Sequence, residues 1–434
     1  MPPKIILLAV AALTTLNAEV IGTSQPAEPI TAARIAQLPA TERAPWTAYL
    51  DRSERQMQAD RATLAAERTA STTTPPLPEG AYSASTVPLD RPLAWYASAE
   101  ARHIANVIVS FQTPAGGWSK NLDLSGSPRL PGQSYAPDNS NKHPGPADFD
   151  APHNPDWNYV GTLDNDATTT ELYFLARVAA SAPSPDAERY RASVLKGIRY
   201  LVDAQFPNGG WPQVWPLQGG YHDAITFNDD AVTHAAEVMT AVSSGAAPFS
   251  FVQTSLRNQA SISASRVLDC ILRTQIHING KLTAWAQQHD ALTLEPAAAR
   301  NYEPAALSSG ESSALLLYLM SHPNPSPAVI ASVDAGVAWL RSTAIYGQAW
   351  TADRSDPAGR HLEPRAGAGP IWSRYYSLTT NSPIFGDRDK TIHDNVAEIS
   401  LERRNGYSWF SSGPKQALDA YTAWHKKHSS VPGI

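Results

Sequence analysis

A motif made of a glutamine, a glycine pair and a tryptophan recurs along this chain, each time at the end of a stretch with helical spacing. Residues 112–118 and 205–211 carry it at the same spacing, and Gln275, Gly280 and Trp285 form a looser third copy. Internal similarity at this separation indicates one supersecondary unit that is stacked several times. We interpret the unit as a helix, a left-handed glycine turn and a tryptophan that covers apolar neighbours while its ring stays available to a ligand. Such repeats predict a helical toroid with a cleft at one rim.

The remaining patterns favour an all-α fold with long loops. Helical spacing predicts helices at residues 46–68, 99–112, 167–181, 186–205, 230–243, 252–276, 307–321 and 326–343. Few segments alternate with a period of two residues, so we expect strands only as short β ribbons in the loops. Residues 119–159 are rich in Pro, Asn, Asp, Ser and Gly. A loop of this length within a compact domain is usually functional or disordered, and we expect it to form a wall of the cleft.

The amino-terminal sequence indicates export. Lys4 precedes an apolar run over residues 5–16, and a small residue closes the segment 1–18. This is the pattern of a secretory signal peptide, which is too short to span a membrane. We therefore predict a secreted or periplasmic protein. Residues 19–45, rich in Ala, Pro, Thr and Ile, are predicted to be a flexible lead, and residues 46–434 a single domain.

Charge and cysteine content exclude several classes of protein. The net charge of −6 argues against nucleic acid as a partner. Beyond the signal peptide no apolar stretch has membrane length, so we expect no membrane association. We also expect the protein to be a monomer. The single cysteine, Cys270, cannot form an internal disulfide and is interpreted as buried packing. Residues 354–404 contain more basic than acidic side chains, which indicates either a solvated surface or a patch that grips an anionic ligand.

Two helix entrances resemble one another in sequence, Leu-Asp-Asn-Asp-Ala-Thr at 163–168 and Phe-Asn-Asp-Asp-Ala-Val at 227–232. Asp166 and Asp230 immediately precede apolar helical runs and are predicted to be N-caps. The residues before them, Asp164, Asn165 and Asp229, are left facing out of the rim. Oxygen-only clusters suit a hard cation such as calcium. Asp and Asn also form ordinary turns, so from spacing alone the metal site is one of two interpretations.

Other catalytic patterns have less support. His289 and Asp290 are adjacent, but no serine or cysteine nucleophile motif accompanies them, so we interpret His289 as a hydrogen-bonded structural residue. A glycosidase would need a pair of acids, and nothing in the sequence singles out such a pair.

A series of motifs resembles the pectate lyases of polysaccharide lyase family 10. The blocks, in chain order, are GGWSKN at 116–121, TLDNDATTTE at 162–171, QFPNGGWPQVWP at 205–216, ITFNDDA at 225–231, AWAQQHDALTLEPAAARNYEP at 284–304, SGES at 309–312, IWSRYYSLTTNSPIFGDRDK at 371–390 and EISLERRNGYSWF at 398–410. The similarity runs collinearly from about residue 46 to about residue 423. A collinear series is far more specific than any single motif.

The resemblance implies an (α/α)3-type toroid, over residues 46–434, that cleaves polygalacturonate by calcium-assisted β-elimination. It implies these site residues: Arg300 as catalytic base, Asp164, Asn165 and Asp229 as calcium and substrate ligands, and Arg374, Arg388, Lys120 and Tyr302 as substrate-binding groups. Asp166 departs from the family pattern, which has a small residue at that position. Among the rim aromatics Trp118, Trp211, Trp215, Trp285, Tyr302 and Tyr407, we expect more than half to be core and some to stack on sugar.

The implied chemistry makes one unusual demand. Elimination removes the C5 proton of a galacturonate, and calcium and arginines would neutralise the neighbouring carboxylate. An arginine ordinarily stays protonated, so we expect desolvation beside calcium and other arginines to lower the pKa of Arg300, with alkaline operation as the consequence. Two alternatives stay open: another helical-toroid lyase acting on a different uronate polymer, and a non-catalytic pectin-binding protein. Terpene cyclases also contain Gln and Trp repeats, but their Asp-rich initiating motif is missing here.

Overall fold

The computed structural model describes residues 20–70, 73–145, 147–152, 154–181 and 185–428, so the predicted signal peptide at 1–18 lies outside the described residues. The α-helices are α1 Ala32–Ile35, α2 Ala40–Ala70, α3 Ser83–Thr86, α4 Ala99–Phe111, α5 Thr169–Ser181, α6 Asp186–Ala204, α7 Ala231–Ser244, α8 Thr254–Thr274, α9 Ser309–Ser321, α10 Pro327–Thr343, α11 Leu401–Gly406 and α12 Lys415–His428. Each helix predicted from the sequence is present, most with ends within about two residues of the prediction; only α2 begins earlier, at Ala40. Short helices and α12 were not predicted.

The long helices form two rows. Helices α4, α6, α8 and α10 follow one another in an outer row, and α5, α7 and α9 form an inner row. Consecutive helices pair across the rows as the hairpins α5/α6, α7/α8 and α9/α10, and α12 packs against α9 and α10. The core lies between the rows and is formed by their apolar faces. This arrangement confirms a predominantly helical fold and is compatible with the predicted toroid.

The strands are short, as predicted. They are β1 Val20–Thr23, β2 Ile225–Thr226, β3 His277–Ile278, β4 Lys281–Leu282, β5 Gln288–His289, β6 Pro296–Ala297, β7 Leu307–Ser308, β8 Gln348–Trp350, β9 Leu362–Pro364, β10 Trp372–Ser373, β11 Tyr375–Tyr376, β12 Pro383–Gly386, β13 Thr391–His393 and β14 Phe410–Ser411. The largest sheet has the order β1-β13-β12-β11-β7, and a smaller one the order β2-β5-β6. Because β2 and β7 lead into α7 and α9, these sheets collect at the amino-terminal ends of the inner helices.

The repeated glutamine is the joint between neighbouring outer helices. Its side-chain amide donates to a carbonyl of its own loop and to a carbonyl in the middle of the next outer helix, and its amide oxygen accepts from a serine hydroxyl there. The helix-to-helix bonds are Gln112 to Ser193 at 2.9 Å, Gln205 to Ser263 at 3.0 Å and Gln275 to Ser332 at 3.0 Å. The serine hydroxyls donate back at 2.8, 2.8 and 2.6 Å. The looser third copy is therefore a structural equivalent of the first two.

The repeated tryptophan is an anchor in the core and is not a ligand platform. Each indole N–H donates to a carbonyl near the end of the preceding outer helix: Trp118 to Ile108 at 2.7 Å, Trp211 to Leu201 at 2.8 Å, Trp285 to Ile271 at 2.7 Å and Trp372 to Leu340 at 2.8 Å. All four rings are fully buried, so the expectation that the repeat tryptophans stay available to a ligand is wrong. The fourth anchor escaped the sequence analysis because the β8–β9 hairpin lies between it and α10.

The predicted flexible lead over residues 19–45 is instead packed against the body where the structure describes it. Strand β1 pairs with β13, Arg34 donates to Asp290 at 2.7 Å, and Ile30 and Ile35 are buried. Composition alone did not reveal these contacts, because they join the lead to residues far along the chain. The 119–159 loop packs in the same way, with Tyr135 and Trp157 in a cluster against α2.

Cys270 is buried in α8, which confirms its interpretation as core packing. Among the helices of the described ranges, none is both long and apolar enough to cross a bilayer.

Gly116 tests whether the repeat turn requires glycine. Its φ is +115°, and a Cβ there would lie 2.7 Å from the carbonyl oxygen of Lys196 on α6. We expect Gly116→Ala to lower the free energy of unfolding by about 3 kcal/mol, combining left-handed strain with overpacking. Gly280 is the matched control, because its φ is also positive but no atom lies near its Cβ position. Gly280→Ala should cost only about 1 kcal/mol. Equal losses in denaturant titrations would contradict the proposed close approach.

Candidate active site

The two acidic helix entrances fold as the same left-handed turn. Asn165 and Asp166 have φ values of 52° and 63°, and Asp229 and Asp230 have values of 49° and 57°. Non-glycine residues rarely adopt this region, and such strain concentrates at functional sites. The turns lie side by side at the amino-terminal ends of α5 and α7, so the sequence similarity of the two entrances reflects a shared backbone geometry.

The prediction that Asp166 and Asp230 cap these helices through their side chains is wrong. Asp230 occupies the N-cap position of α7, but its side chain makes no capping hydrogen bond. Asp166 instead accepts from the Tyr82 hydroxyl at 2.8 Å and lies 3.1 Å from Nδ1 of His234. The left-handed turn explains the difference, because an N-cap side chain reaches the first-turn amides from an extended backbone.

Asp164 lies in the floor of the site rather than facing out of the rim. Its side chain is 2% exposed and forms an ion pair with Lys120, whose ammonium lies 3.4 Å above the ring of Tyr159. Burial opposes ionisation of Asp164, but Lys120, the neighbouring Asp229 carboxyl and Arg300 together outweigh burial and lower the pKa of Asp164. Its second oxygen, Oδ1, is buried and accepts no hydrogen bond from an N–H or hydroxyl donor of the described residues, and the Asp164 carboxyl lies within hydrogen-bonding reach of the Asp229 carboxyl. An ionised carboxylate with a free, buried oxygen is suited to a cation.

Asp229 and Asn165 lie on the same pair of turns as Asp164, and we call these three side chains the acidic corner of the site. Asp229 is solvent-exposed as a residue, yet its carboxyl lies against the site, where burial and the negative charge of Asp164 raise its pKa to about 8. Asn165 donates its side-chain amide to Asn121 at 2.9 Å, which leaves its amide oxygen available to a ligand. Within the described ranges, no group of three or more His, Cys, Asp and Glu side chains could hold a metal by itself.

Arg300 lies in the turn that follows β6 and is held by two acids. Its Nε is 3.3 Å from Asp150 and its Nη1 is 3.4 Å from Glu303, and its side chain is 26% exposed. Burial disfavours the guanidinium charge, but Glu303 and neighbouring tyrosines outweigh burial and raise the pKa of Arg300. The expected lowering of this pKa depends on a cation beside Arg300, and it stays a prediction for the calcium-bound site.

Asp150 was not predicted, and it connects Arg300 to the wall of the site. The buried carboxylate accepts hydrogen bonds from the hydroxyls of Tyr221 and Tyr159, the latter at 3.0 Å. Burial opposes its charge, but Arg300 and Tyr221 outweigh that effect and lower the pKa of Asp150. It belongs to the 119–159 loop, where it is one of several acids, and no sequence signal distinguishes it from the others.

Arg374 lies on the opposite side of the acidic corner. Its Nη2 donates to Glu311 at 2.9 Å and to Asn228 at 3.1 Å, and its guanidinium lies 4.8 Å from the centre of the Tyr407 ring. The Tyr407 hydroxyl donates to Glu303 at 2.7 Å. Arg374 and Arg300 are thus connected through Tyr407 and Glu303. Of these two connecting residues, the sequence analysis singled out only Tyr407, as a rim aromatic.

Arg388 and Tyr302 lie beside this network. Arg388 makes a bidentate pair with Glu402, at 2.8 and 3.1 Å, and Arg403 bonds to the same carboxylate. The ring of Tyr302 lies 5.3 Å from Arg388 and 4.4 Å from Arg403. Tyr302 is nearly buried, so it supports the two guanidinium groups more than it presents a face to solvent.

His289 is a structural residue, as predicted. It is fully buried, its Nδ1 lies 2.8 Å from the Leu294 carbonyl oxygen, and its Nε2 accepts from the Ala286 amide at 3.2 Å. Burial lowers the pKa of His289 to about 4. Both ring nitrogens are engaged, so His289 is excluded as an alternative base.

The site thus brings together Lys120, Asp164, Asn165, Asp229, Arg300 and Arg374, with Arg388 and Tyr302 at one side. Acidic and cationic side chains alternate from Asp164 to Arg300 at the amino-terminal ends of the inner helices. Such an arrangement is typical of proteins that bind and process anionic glycans.

Comparisons with known proteins agree with this class. The family model for pectic acid lyases matches residues 112–418. A family 10 polysaccharide lyase from Cellvibrio cellulosa is similar in structure, with a TM-score of 0.63 and 34% identity over 76% of this chain and 94% of that chain. A mutant of the family 10 lyase from the same organism, in complex with trigalacturonic acid, gives a TM-score of 0.63 and 33% identity over 76% and 95%. No match was found among curated proteins.

The match over most of the chain shows the family. The protein belongs to the pectic acid lyases and is a pectate lyase of polysaccharide lyase family 10.

The buried pair of Lys120 and Asp164 generates a stability prediction. Lys120→Met would leave a buried carboxylate without its cation, and we expect a loss of about 3–5 kcal/mol in the free energy of unfolding. Lys415 is the matched control, since its ion pair with Asp419 is exposed on both sides, at 52% and 62%. Lys415→Met should cost about 1 kcal/mol or less in the same denaturant titration. A loss at position 120 no larger than the control would show that Asp164 does not depend on Lys120.

Proposed function

We propose that this pectate lyase cleaves polygalacturonate by calcium-assisted β-elimination, with Arg300 as the base and unsaturated oligogalacturonides as products. The observation that carries the proposal is the continuous set of contacts from the acid pair Asp164 and Asp229 to Arg374 and Arg300. One side of the site offers oxygen ligands, and the other offers guanidinium groups. A polyuronate chain, with a carboxylate on each sugar ring, matches both.

The reaction sets the requirements for each group. The C5 proton of a galacturonate is weakly acidic because it lies next to a carboxylate, and its removal places enolate-like charge on the carboxyl group. The bond between C4 and the leaving oxygen then breaks, and the C4–C5 double bond forms. Groups that neutralise the carboxyl before the proton leaves stabilise this transition state without reorganisation.

The acidic corner fits calcium. Asp164 with its free Oδ1, Asp229 and the amide oxygen of Asn165 are hard oxygen donors, as this ion prefers. Two carboxylates are too few to fill a calcium shell, so substrate carboxylates and water would supply the remaining ligands. Calcium held there would act as a Lewis acid on the uronate carboxyl. The mutual repulsion that raises the pKa of Asp229 also favours a cation between the two acids.

The arginines would bind uronate carboxylates. A guanidinium is planar and bidentate, which matches a carboxylate better than an ammonium does. Arg374 faces the acidic corner and would take the carboxylate nearest to it. Arg388 is already paired with Glu402, so we assign it to a neighbouring sugar ring. Lys120 serves first as the partner of Asp164, and contact with substrate would be secondary.

Arg300 is proposed as the base because it matches the family's base and lies close enough to the acidic corner for its charge to act on Asp164. Asp150 and Glu303 hold the guanidinium from two directions and fix its orientation. The same acids favour its protonated form, so proton abstraction would depend on the small neutral fraction, which grows with pH. The rate should therefore keep rising well into the alkaline range.

The surroundings of the site extend the proposal. The two helix rows are consistent with an (α/α)3-type toroid, and the sequence of residues 1–18 with export to the periplasm or the medium. We further propose that the protein acts as a monomer. A lyase for a different uronate polymer is the remaining alternative; the neighbouring structure with trigalacturonic acid favours galacturonate.

The first functional prediction concerns the metal. Purified protein incubated with polygalacturonate should generate the ultraviolet absorbance of unsaturated uronides. A chelator should abolish the product and added calcium should restore it, whereas zinc should not, because the donor set contains only oxygen. Asp229→Ala should lower turnover strongly with little change in the melting temperature of the metal-free protein. Full activity in chelator would exclude the calcium role.

The second functional prediction concerns Arg300. Arg300→Lys and Arg300→Ala should each lower kcat by several orders of magnitude with KM largely retained, because a base acts only in the transition state. Arg191, on the surface of α6, is the control, and Arg191→Lys should leave kcat unchanged. The wild-type kcat should rise with pH without a plateau in the neutral range, following deprotonation of a group whose pKa is raised. A lysine variant with most of the wild-type rate, or an acidic optimum, would assign the base elsewhere.

A further inference from the structure

One aromatic side chain beside the site is exposed, and it is not among those noticed in the sequence. Tyr82 is 49% exposed, whereas Trp118, Trp211 and Trp285 are completely buried. It lies immediately before α3, in a segment that precedes the region matched by the family model, residues 112–418. Its function is therefore not implied by that match.

Tyr82 is held rigidly next to the acidic corner. Its hydroxyl donates to Asp166 at 2.8 Å, and burial together with Asp166, Asp229 and Asp164 raises the pKa of Tyr82 to about 12. The hydroxyl is thus hydrogen-bonded to the left-handed turn before α5, while much of the residue stays exposed to solvent. A ring immobilised in this way loses little conformational entropy when a ligand packs on it.

A pocket of about 340 Å³ opens beside Tyr82 and shares Asp166 with it. Its apolar side comes from Val87 and Leu89 of the segment after α3 and from Tyr173 of α5. Its polar side comes from Asp166, His234 and Glu237. Apolar and aromatic surface with a few hydrogen-bonding groups is the usual composition of a sugar subsite.

We propose that Tyr82 and this pocket form a subsite for an uncharged sugar ring of the pectic chain, adjacent to the ring bound at Asp164 and Asp229. This rests on the proposed function and adds a substrate preference to it. Asp166 is paired with His234 at 3.1 Å, so a free uronate carboxylate would meet its repulsion mainly from Glu237. The hydroxyls of an uncharged ring would instead donate to those carboxylates, and its apolar face would pack on Tyr82. The ring is either a methyl-esterified galacturonate or a neutral sugar.

The test compares Tyr82→Ala and Tyr82→Phe with Tyr346→Ala, a control at a tyrosine that is 66% exposed. Substrates are de-esterified hexagalacturonide, the same oligomer with one methyl ester, and one with a terminal neutral sugar. Measurements are kcat/KM from ultraviolet absorbance and Kd from calorimetry. We expect Tyr82→Ala to lower kcat/KM and affinity about three- to tenfold on one or both uncharged-ring substrates, and less than about twofold on the de-esterified oligomer. Tyr82→Phe keeps the aromatic ring, so it should retain most of the wild-type kcat/KM and affinity on the uncharged-ring substrates.

Glu237→Gln provides a second variant, because this exposed side chain on α7 contributes little to folding. It should weaken the discrimination against the de-esterified oligomer. The subsite is overturned if Tyr82→Ala lowers kcat/KM and affinity equally on all substrates, or if its effect is no larger than that of Tyr346→Ala. It is also overturned if neither Tyr82→Ala nor Glu237→Gln changes the discrimination between the uncharged-ring and de-esterified substrates. If Tyr82→Ala weakens only the methyl-esterified oligomer, the subsite binds a methyl-esterified galacturonate; if it weakens only the oligomer with the neutral sugar, the subsite binds that sugar. Absence of any unsaturated product from the wild type would overturn the proposed reaction instead, and the Kd comparison would still decide the subsite.

Discussion

The glutamine joint between neighbouring outer helices is the interaction on which the architecture depends. Each side-chain amide, buried at Gln205 and Gln275 and half-buried at Gln112, donates to a carbonyl of its own loop and to one in the middle of the next helix, and a serine hydroxyl donates to the amide oxygen. An unsatisfied buried amide costs about 1–3 kcal/mol, so only one register between adjacent helices satisfies all these groups. The buried tryptophan then fixes the following loop against the helix that precedes it. Together they place the beginnings of α5, α7 and α9 along one rim.

That rim determines where charge can accumulate. The left-handed turns before α5 and α7 present Asp164 and Asp229, and the start of α9 presents Glu311. Buried charges are tolerated only when they are paired. Here Lys120 pairs with Asp164, and Arg374 pairs with Glu311 and lies near Asp229. The charges are therefore oriented before substrate arrives, which is the condition for electrostatic stabilisation of a transition state. Exposed loops alone would not hold them with this accuracy.

The sequence predicted the helices well because burial along one face leaves a periodic signal. The resemblance drew attention to Asp164, Asp229 and Arg300 through local motifs, and the roles of these residues stay predictions. The sequence failed where the information is long-range. Asp150 is separated from Arg300 by 150 residues, and the lead at 19–45 packs on strands from the other end of the chain. The capping prediction failed for a different reason, since a short acidic motif does not reveal whether its backbone is extended or left-handed.

The environment of Arg300 shows how positioning and basicity oppose one another. Asp150 and Glu303 orient the guanidinium, but each negative charge also stabilises the proton that a base must lose. Removing either acid would lower the pKa of Arg300 at the expense of its orientation, so the two requirements cannot both be met in the empty site. A bound polyuronate would add further negative charge, which Arg374 and a calcium ion held by Asp164 and Asp229 would offset. In the proposed reaction, a calcium ion held at the acidic corner would therefore serve twice: it would neutralise the uronate that loses its proton, and it would limit the negative charge that otherwise keeps Arg300 protonated.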